Sequence, residues 1–162
     1  MDEIRRKGLE KMNEVYGWEM PDMPGDFFAL TADHLFGDIW SRPGLSMREK
    51  RMMTLTVVTA LGITDLAEIQ ANAALSNGEL TEGELKEMAI FLTHYLGFPL
   101  GSKLDGVVTK VAGKRRKAAD RGAGEDKRAN VNAALNMHSG TKLGDEAEDE
   151  VSDEVTDEVR DE

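Results

Sequence analysis

Apolar residues along this chain recur three and four positions apart, and no stretch alternates with a period of two. Ile4, Gly8, Met12, Val15 and Tyr16 follow that spacing and Gly17 comes next, which predicts a helix with one apolar stripe and a glycine cap. Residues 18–25, WEMPDMPG, contain two prolines and a glycine and read as a loop. From Phe27 to Trp40 the chain is rich in apolar side chains and predicts one or two helices, with Leu35, Phe36 and Ile39 in the core. Ser41-Arg42-Pro43-Gly44 then breaks the pattern.

Ser46 and Glu49 have the S-x-x-E spacing of a capping box, and Leu45 occupies the position of a hydrophobic staple. Met53, Thr54, Val57, Val58 and Leu61 continue at helical spacing up to Gly62. The β-branched content of this run favours a strand, but the caps and the length of about 16 residues decide for a buried helix. Thr64 is the expected N-cap of a helix over 65–77, whose apolar face is Leu66, Ile69, Ala73 and Ala74. Thr81 and Glu84 form a second capping box, followed by Leu85, Met88, Ala89, Leu92 and Tyr95. Gly97-Phe98-Pro99 stops that helix, and Ser102 starts a last one with Leu104, Val107, Val108 and Val111 inward. The expected fold is all-α, a compact domain of about six to seven helices over residues 1–112.

After Ala112 the apolar pattern dissolves, and residues 113–162 read as a separate charged tail. The net charge of −11 is uneven: −6 over residues 1–112, +5 over 113–144 and −10 over 145–162. An Asp-Glu-Val unit repeats every four residues near the end, placing Val151, Val155 and Val159 on one face of any helix there. Valine is a weak helix former and like charges four apart repel, so the tail is expected to be a disordered polyampholyte. The alternative is a helix formed against a basic partner, such as the chain's own 114–128 segment.

The folded part is only mildly acidic, so charge does not identify its function, but it argues against nucleic acid as a partner. No apolar run reaches the ~18 residues of a membrane span, and the charged N-terminus lacks the apolar core of a secretory signal. A cytoplasmic protein is the expectation. The chain has no cysteine, which excludes disulfides, thiolate metal sites and thiol redox chemistry.

Few residues remain that could carry chemistry. Of the three histidines, His138 lies in the tail, while His34 and His94 sit in apolar helices, where a histidine is more often a hydrogen-bonded core residue than a catalyst. His94 is the better candidate, because Tyr95 adjoins it and the helix ends two residues later. No metal-ligand spacing is present, so no metal is expected. Glu68 and Gln70 are polar residues in an alanine-rich helix, and Gln70, beside the apolar face, is expected to be at least half buried. Arg42, Arg48 and Arg51 surround one turn and its capped helix. Each suits a carboxylate, or equally a solvated surface. Trp40 beside Arg42 at a fixed turn is costly as mere surface.

These residues in this order resemble the carboxymuconolactone decarboxylase family. The likeness starts at GLEKMNEVYG and runs through LFGDIWSRPGLSMREKRMMTLTVVTALG and AALSNGELTEGELKEM to YLGFP, over roughly residues 5–105. It implies an AhpD-like helical subunit, the fold shared with the thiol peroxidases of the superfamily, assembled as trimers or hexamers with sites near subunit interfaces. The peroxidase branch uses a Cys-x-x-Cys pair that this chain lacks. The implied activity is a cofactor-independent decarboxylation of 4-carboxymuconolactone or a related small lactone acid in aromatic catabolism, the β-ketoadipate pathway. In that reading Arg42 binds a carboxylate beside Trp40, with Arg51 and Glu68 as further substrate-binding candidates. His94 or Tyr95 supplies a proton, and Gln70 donates to the developing oxyanion. Many members carry histidine where this chain has Gln70 and Phe91. His94 lies three residues beyond Phe91, about 300° around a helix and about 4.5 Å along it, on a neighbouring face. The second reading is a non-catalytic oligomeric paralogue that binds or scaffolds.

Overall fold

The computed structural model describes residues 2–122, and within them every regular element is helical. Helix α1 spans Glu3–Tyr16 and ends on Gly17, whose φ of 77° closes the helix by donating its N–H to the Asn13 carbonyl. Helix α2, Asp26–Ala29, runs directly into a π-helical segment, Leu30–Trp40. Helices α3 (Met47–Ala60), α4 (Thr64–Ser76), α5 (Glu82–Leu96) and α6 (Phe98–Asp120) follow. Both capping boxes form: Ser46 caps α3 with Glu49, and Thr81 caps α5 with Glu84. Arg48 bridges the two helix starts by donating to Glu84 at 2.5 Å.

The chain packs around two apolar clusters. One is built by α3, α4, α5 and α6 around Leu55, Leu85, Leu104 and Val108. The other gathers α1 and the π-helical segment around Met12, Val15, Phe28 and Phe36. Helix α4 serves both, with Ala67, Ala71 and Ala74 facing one cluster and Ile69 and Ala73 the other. Its small side chains allow neighbours on several sides to approach, so residues all round it are buried. Two glycines set the closest approaches. A Cβ on Gly8 would meet the Ala32 carbonyl oxygen at 2.0 Å, and one on Gly101 would meet Thr93 Oγ1 at 1.8 Å.

Several expected details change. Leu35 and Ile39 are each 41% exposed rather than core, because the α1 side of the segment is occupied by Ala32, Phe36 and Trp40. On α3 the buried side is Arg51, Leu55, Val58 and Thr59, which leaves Met53, Val57 and Leu61 facing out. The run is apolar on both sides, so spacing does not say which one packs. Leu45 forms no staple: the position it would pack against is Lys50. Ile63, not Thr64, is the N-cap of α4. Gly97-Phe98-Pro99 ends α5 and also opens α6, since a proline in the first turn has no helical N–H to lose.

Helix α6 continues eight residues past Ala112, to Asp120. Ion pairs carry it where apolar contacts stop: Lys110 and Lys114 hold Glu68 of α4 at 2.6 and 2.8 Å, and Arg116 holds Glu82 at 2.6 Å. The rest of the expected tail, residues 123–162 with His138, lies outside the described residues.

The glycine contacts give a stability test. Gly8→Ala drives a methyl into backbone and should cost about 2–3 kcal/mol or more by denaturant unfolding at fixed protomer concentration. Gly106→Ala, on α6 with nothing within 4 Å of the new methyl, should instead stabilise by roughly 0.5–1 kcal/mol.

The caps predict a pH dependence. Backbone and side-chain hydrogen bonds from Ser46 hold the Glu49 carboxyl below its usual value of 4.5, and those from Thr81, with Arg48, do the same for Glu84. A carboxyl depressed in the folded state stabilises above its unfolded pKa and loses that contribution as pH falls through the folded value. The melting temperature should therefore hold from neutrality to about pH 5 and decline below about 4.5. Removing both carboxylates (Glu49→Gln, Glu84→Gln) should flatten the decline.

Candidate active site

The break between the π-helical segment and α3 shapes a cavity. Pro43 and Gly44 reverse the chain, and the Ser46 capping box fixes where α3 starts. Lys50, one turn into α3, reaches back with its ammonium to the carbonyls of Trp40 at 2.7 Å and Arg42 at 2.6 Å. Ser41 Oγ adds a bond to the Phe36 carbonyl at 2.9 Å. The turn is thereby held open over a cavity of about 550 Å3. Its walls are Ile39, Trp40, Pro43, Leu45 and Met53, with Arg42, Lys50 and Thr54 as the polar side chains.

The electrostatics of this cavity are one-sided. Among the described residues no carboxylate lines it, while Arg42 and Lys50 do. Among the described residues the Arg42 guanidinium has no hydrogen-bond or ion-pair partner. An apolar cavity with Arg42, whose guanidinium has no partner among the described residues, in its lining suits an anion carrying an apolar body.

Beneath Trp40 lies a buried polar network centred on Arg51, which has no exposed surface. Its guanidinium grips the Glu79 carboxylate with two bonds, from Nε at 2.7 Å and Nη2 at 3.2 Å. It also donates to Gln70 Oε1 and to the Val15 carbonyl, and sits 5.6 Å from the centre of the Trp40 ring. Asn77 completes the network, donating to Glu79 at 3.0 Å and to the Glu14 carbonyl at 2.8 Å. Nearby, burial pushes the Tyr16 phenol above its usual pKa, while the charge of Arg51 pulls the other way.

The expected site residues therefore divide into groups. Trp40 and Arg42 share the cavity. Gln70 is buried, as its position beside the apolar face suggested, but it meets Arg51 rather than the cavity. Arg51, expected to face a substrate, is enclosed by protein partners. Glu68 faces α6: burial raises its carboxyl pKa, but the hydrogen bonds and charges of Lys110 and Lys114 outweigh that and leave it lowered. His94 and Tyr95 stand exposed on α5, where His94 Nδ1 lies 2.9 Å from its own helix carbonyl at Ile90 and Tyr95 packs on Phe91. His34, also exposed, faces Asp38 at 3.5 Å. No group of three metal-ligating side chains occurs among the described residues, and none of their helices is long and apolar enough to cross a membrane.

Lys50, Leu45 and Met53 are cavity residues that the sequence did not single out for a site. Lys50 was nevertheless within reach, being the cation one turn after an S-x-x-E cap, where a long side chain can turn back onto the preceding loop.

Removing the hub should be expensive. Arg51→Met strands a buried carboxylate and should destabilise by about 3–5 kcal/mol. Glu79→Gln should cost less, because the amide still accepts from the guanidinium. Both variants should alter the near-ultraviolet circular dichroism of Trp40, measured in a Trp18→Phe background.

The carboxymuconolactone decarboxylase family matches residues 25–107, just over half of the chain, which includes the cavity, α3, α4 and α5. A 4-carboxymuconolactone decarboxylase of Acinetobacter baylyi is 35% identical over 107 residues, covering 60% of this chain and 79% of that protein. The chain belongs to the carboxymuconolactone decarboxylase family.

Proposed function

We propose that this protein is a cofactor-independent carboxy-lyase of the 4-carboxymuconolactone decarboxylase type, acting in the cytoplasm on a small lactone carboxylic acid from aromatic-compound breakdown. The observation that carries this reading is the apolar cavity lined by Trp40 and by Arg42, whose guanidinium has no partner among the described residues, inside the family match.

The chemistry asks little of a catalyst beyond placement and polarity. The bond between ring carbon and departing carboxylate breaks, CO2 leaves, and the electron pair moves through the adjacent C=C bond onto the lactone carbonyl oxygen. A proton then goes to the ring carbon alpha to the lactone carbonyl, which restores the carbonyl and leaves the new C=C bond at the carbon that lost CO2. The substrate is its own electron sink, so the protein must anchor it, stabilise the oxyanion and deliver that proton. Arg42 anchors a carboxylate, and the apolar walls strip water from the one that leaves. Gln70 contributes indirectly, through Arg51 and the Trp40 ring.

His94 and Tyr95 keep their proposed role as proton donors through assembly. They lie on a surface that also exposes Ile90, Phe91 and Phe98, while Met53, Val57 and Leu61 are exposed on α3. Apolar area of this kind favours burial against another copy, and a homo-oligomer, a trimer or hexamer, would bring one subunit's α5 towards another's cavity. A second reading, a non-catalytic oligomeric binding paralogue, is favoured by Gln70 being engaged by Arg51 and by Phe91 standing at the other usual histidine position.

Incubation with 4-carboxymuconolactone separates the two. Under the first reading CO2 is released, His94→Ala lowers kcat/KM at least about tenfold, in the range of a lost general acid, and light scattering finds three or six protomers. Absence of turnover at high enzyme concentration leaves the binding reading. A monomer in solution refutes the role given to His94 and Tyr95.

A further inference from the structure

The cavity's charge inventory says more than that it accepts an acid. Of its two cations, Lys50 is already committed, since two of its three N–H groups go to the carbonyls of Trp40 and Arg42. Those carbonyl dipoles point their negative ends at the ammonium and screen it from a ligand. Arg42 is the cation left over, with a planar guanidinium that takes one carboxylate bidentately. The remaining walls around it are Ile39, Trp40, Pro43, Leu45 and Met53, with the Thr54 hydroxyl as a weak polar group that already donates to the Lys50 carbonyl at 2.9 Å. A second carboxylate on the same ligand would meet apolar side chains and lose its hydration without a counter-charge.

We propose that the cavity is selective for ring-sized monocarboxylates over dicarboxylates, with Arg42 as the residue that determines the selectivity. The inference rests on the reading of this cavity as the substrate site, and it sharpens the reaction. 4-Carboxymuconolactone carries two carboxylates: Arg42 holds the one that is retained, and the unpaired one facing the apolar wall is the one lost as CO2. The product, with a single carboxylate, then fits the cavity better than the substrate does, so the enzyme is inhibited by products of this class. Burial without a counter-ion raises the energy of the leaving carboxylate relative to the charge-dispersed transition state, and the retained carboxylate supplies the binding.

The test uses unreactive probes on the full chain, followed by titration calorimetry near neutral pH. Benzoate is the ring monoanion, isophthalate the dianion and benzamide the neutral shape control. Benzoate should bind at least about tenfold more tightly than either of the others, a difference of one decade in Kd. Arg42→Ala should weaken benzoate by about tenfold and leave benzamide unchanged, while Arg42→Lys should restore part of the loss. A structural effect of the substitution would weaken benzoate and benzamide together. Isophthalate binding as tightly as benzoate would overturn the proposal, because it would mean that Lys50 or a neighbouring subunit supplies a second cation. Failure of all three probes to bind would overturn it as well. Selective benzoate binding without turnover of 4-carboxymuconolactone would refute the decarboxylase and leave the selectivity standing.

Discussion

The buried guanidinium of Arg51 holds together parts of the chain that otherwise have little reason to meet. It takes a carboxylate from the α4–α5 connection, an amide oxygen from α4 and a backbone carbonyl from the end of α1, and it lies against the Trp40 ring. Apolar packing alone makes two clusters, one on each side of α4. A fully enclosed charge is tolerable only when it is neutralised and its donors are largely used, and Glu79 neutralises this one with two bonds while Gln70 and Val15 take two of the three remaining N–H groups. That requirement specifies how α1 sits on the rest, because moving it would leave a buried donor empty, while the π-helical segment meets the same guanidinium through the Trp40 ring.

The cavity inherits its shape from that network. Trp40 has Arg51 beneath it and Phe36 stacked at 6.1 Å, so its ring is a fixed wall. Lys50, the residue before Arg51, points the other way and secures the turn that forms the mouth. Two adjacent cations on one helix thus do opposite jobs, one turned into the protein and one towards the loop. The third cation, Arg42, lines the cavity with no ion-pair or hydrogen-bond partner for its guanidinium among the described residues, which is the feature the proposed anion-binding role rests on.

The same logic accounts for the glutamine at position 70, where the resemblance drawn from the sequence implied a histidine. In this chain the position faces a guanidinium that needs an acceptor, and a glutamine side chain has an oxygen to offer without a charge of its own. Phe91 is a different matter. It stands exposed next to Tyr95 and Phe98, so its phenyl ring enlarges an apolar surface instead of filling a core. The two positions differ in their surroundings: Gln70 consolidates the interior, and Phe91 adds to an exposed apolar surface.

Local signals were sufficient for the helices. The glycine that ends α1, the two capping boxes and the break at Arg42-Pro43-Gly44 each involve groups within about four residues of one another, so they are written in the chain itself. The absence of cysteine chemistry and the family blocks were legible for the same reason. Burial was less so: α3 is apolar on both sides, and only its packing against α4 and α6 chose Leu55 and Val58 over Met53 and Val57. Arg51 could not be recognised as interior, because the partners that make burial tolerable lie 28 positions away at Glu79 and 36 at Val15. Sequence by itself therefore determined the all-helical pattern, the glycine cap of α1, the two capping boxes and the Trp40–Arg42 signature, but not every helix boundary. The tertiary structure decided which charges are neutralised and which is left free, because a charge finds its counter-charge through space and not along the chain.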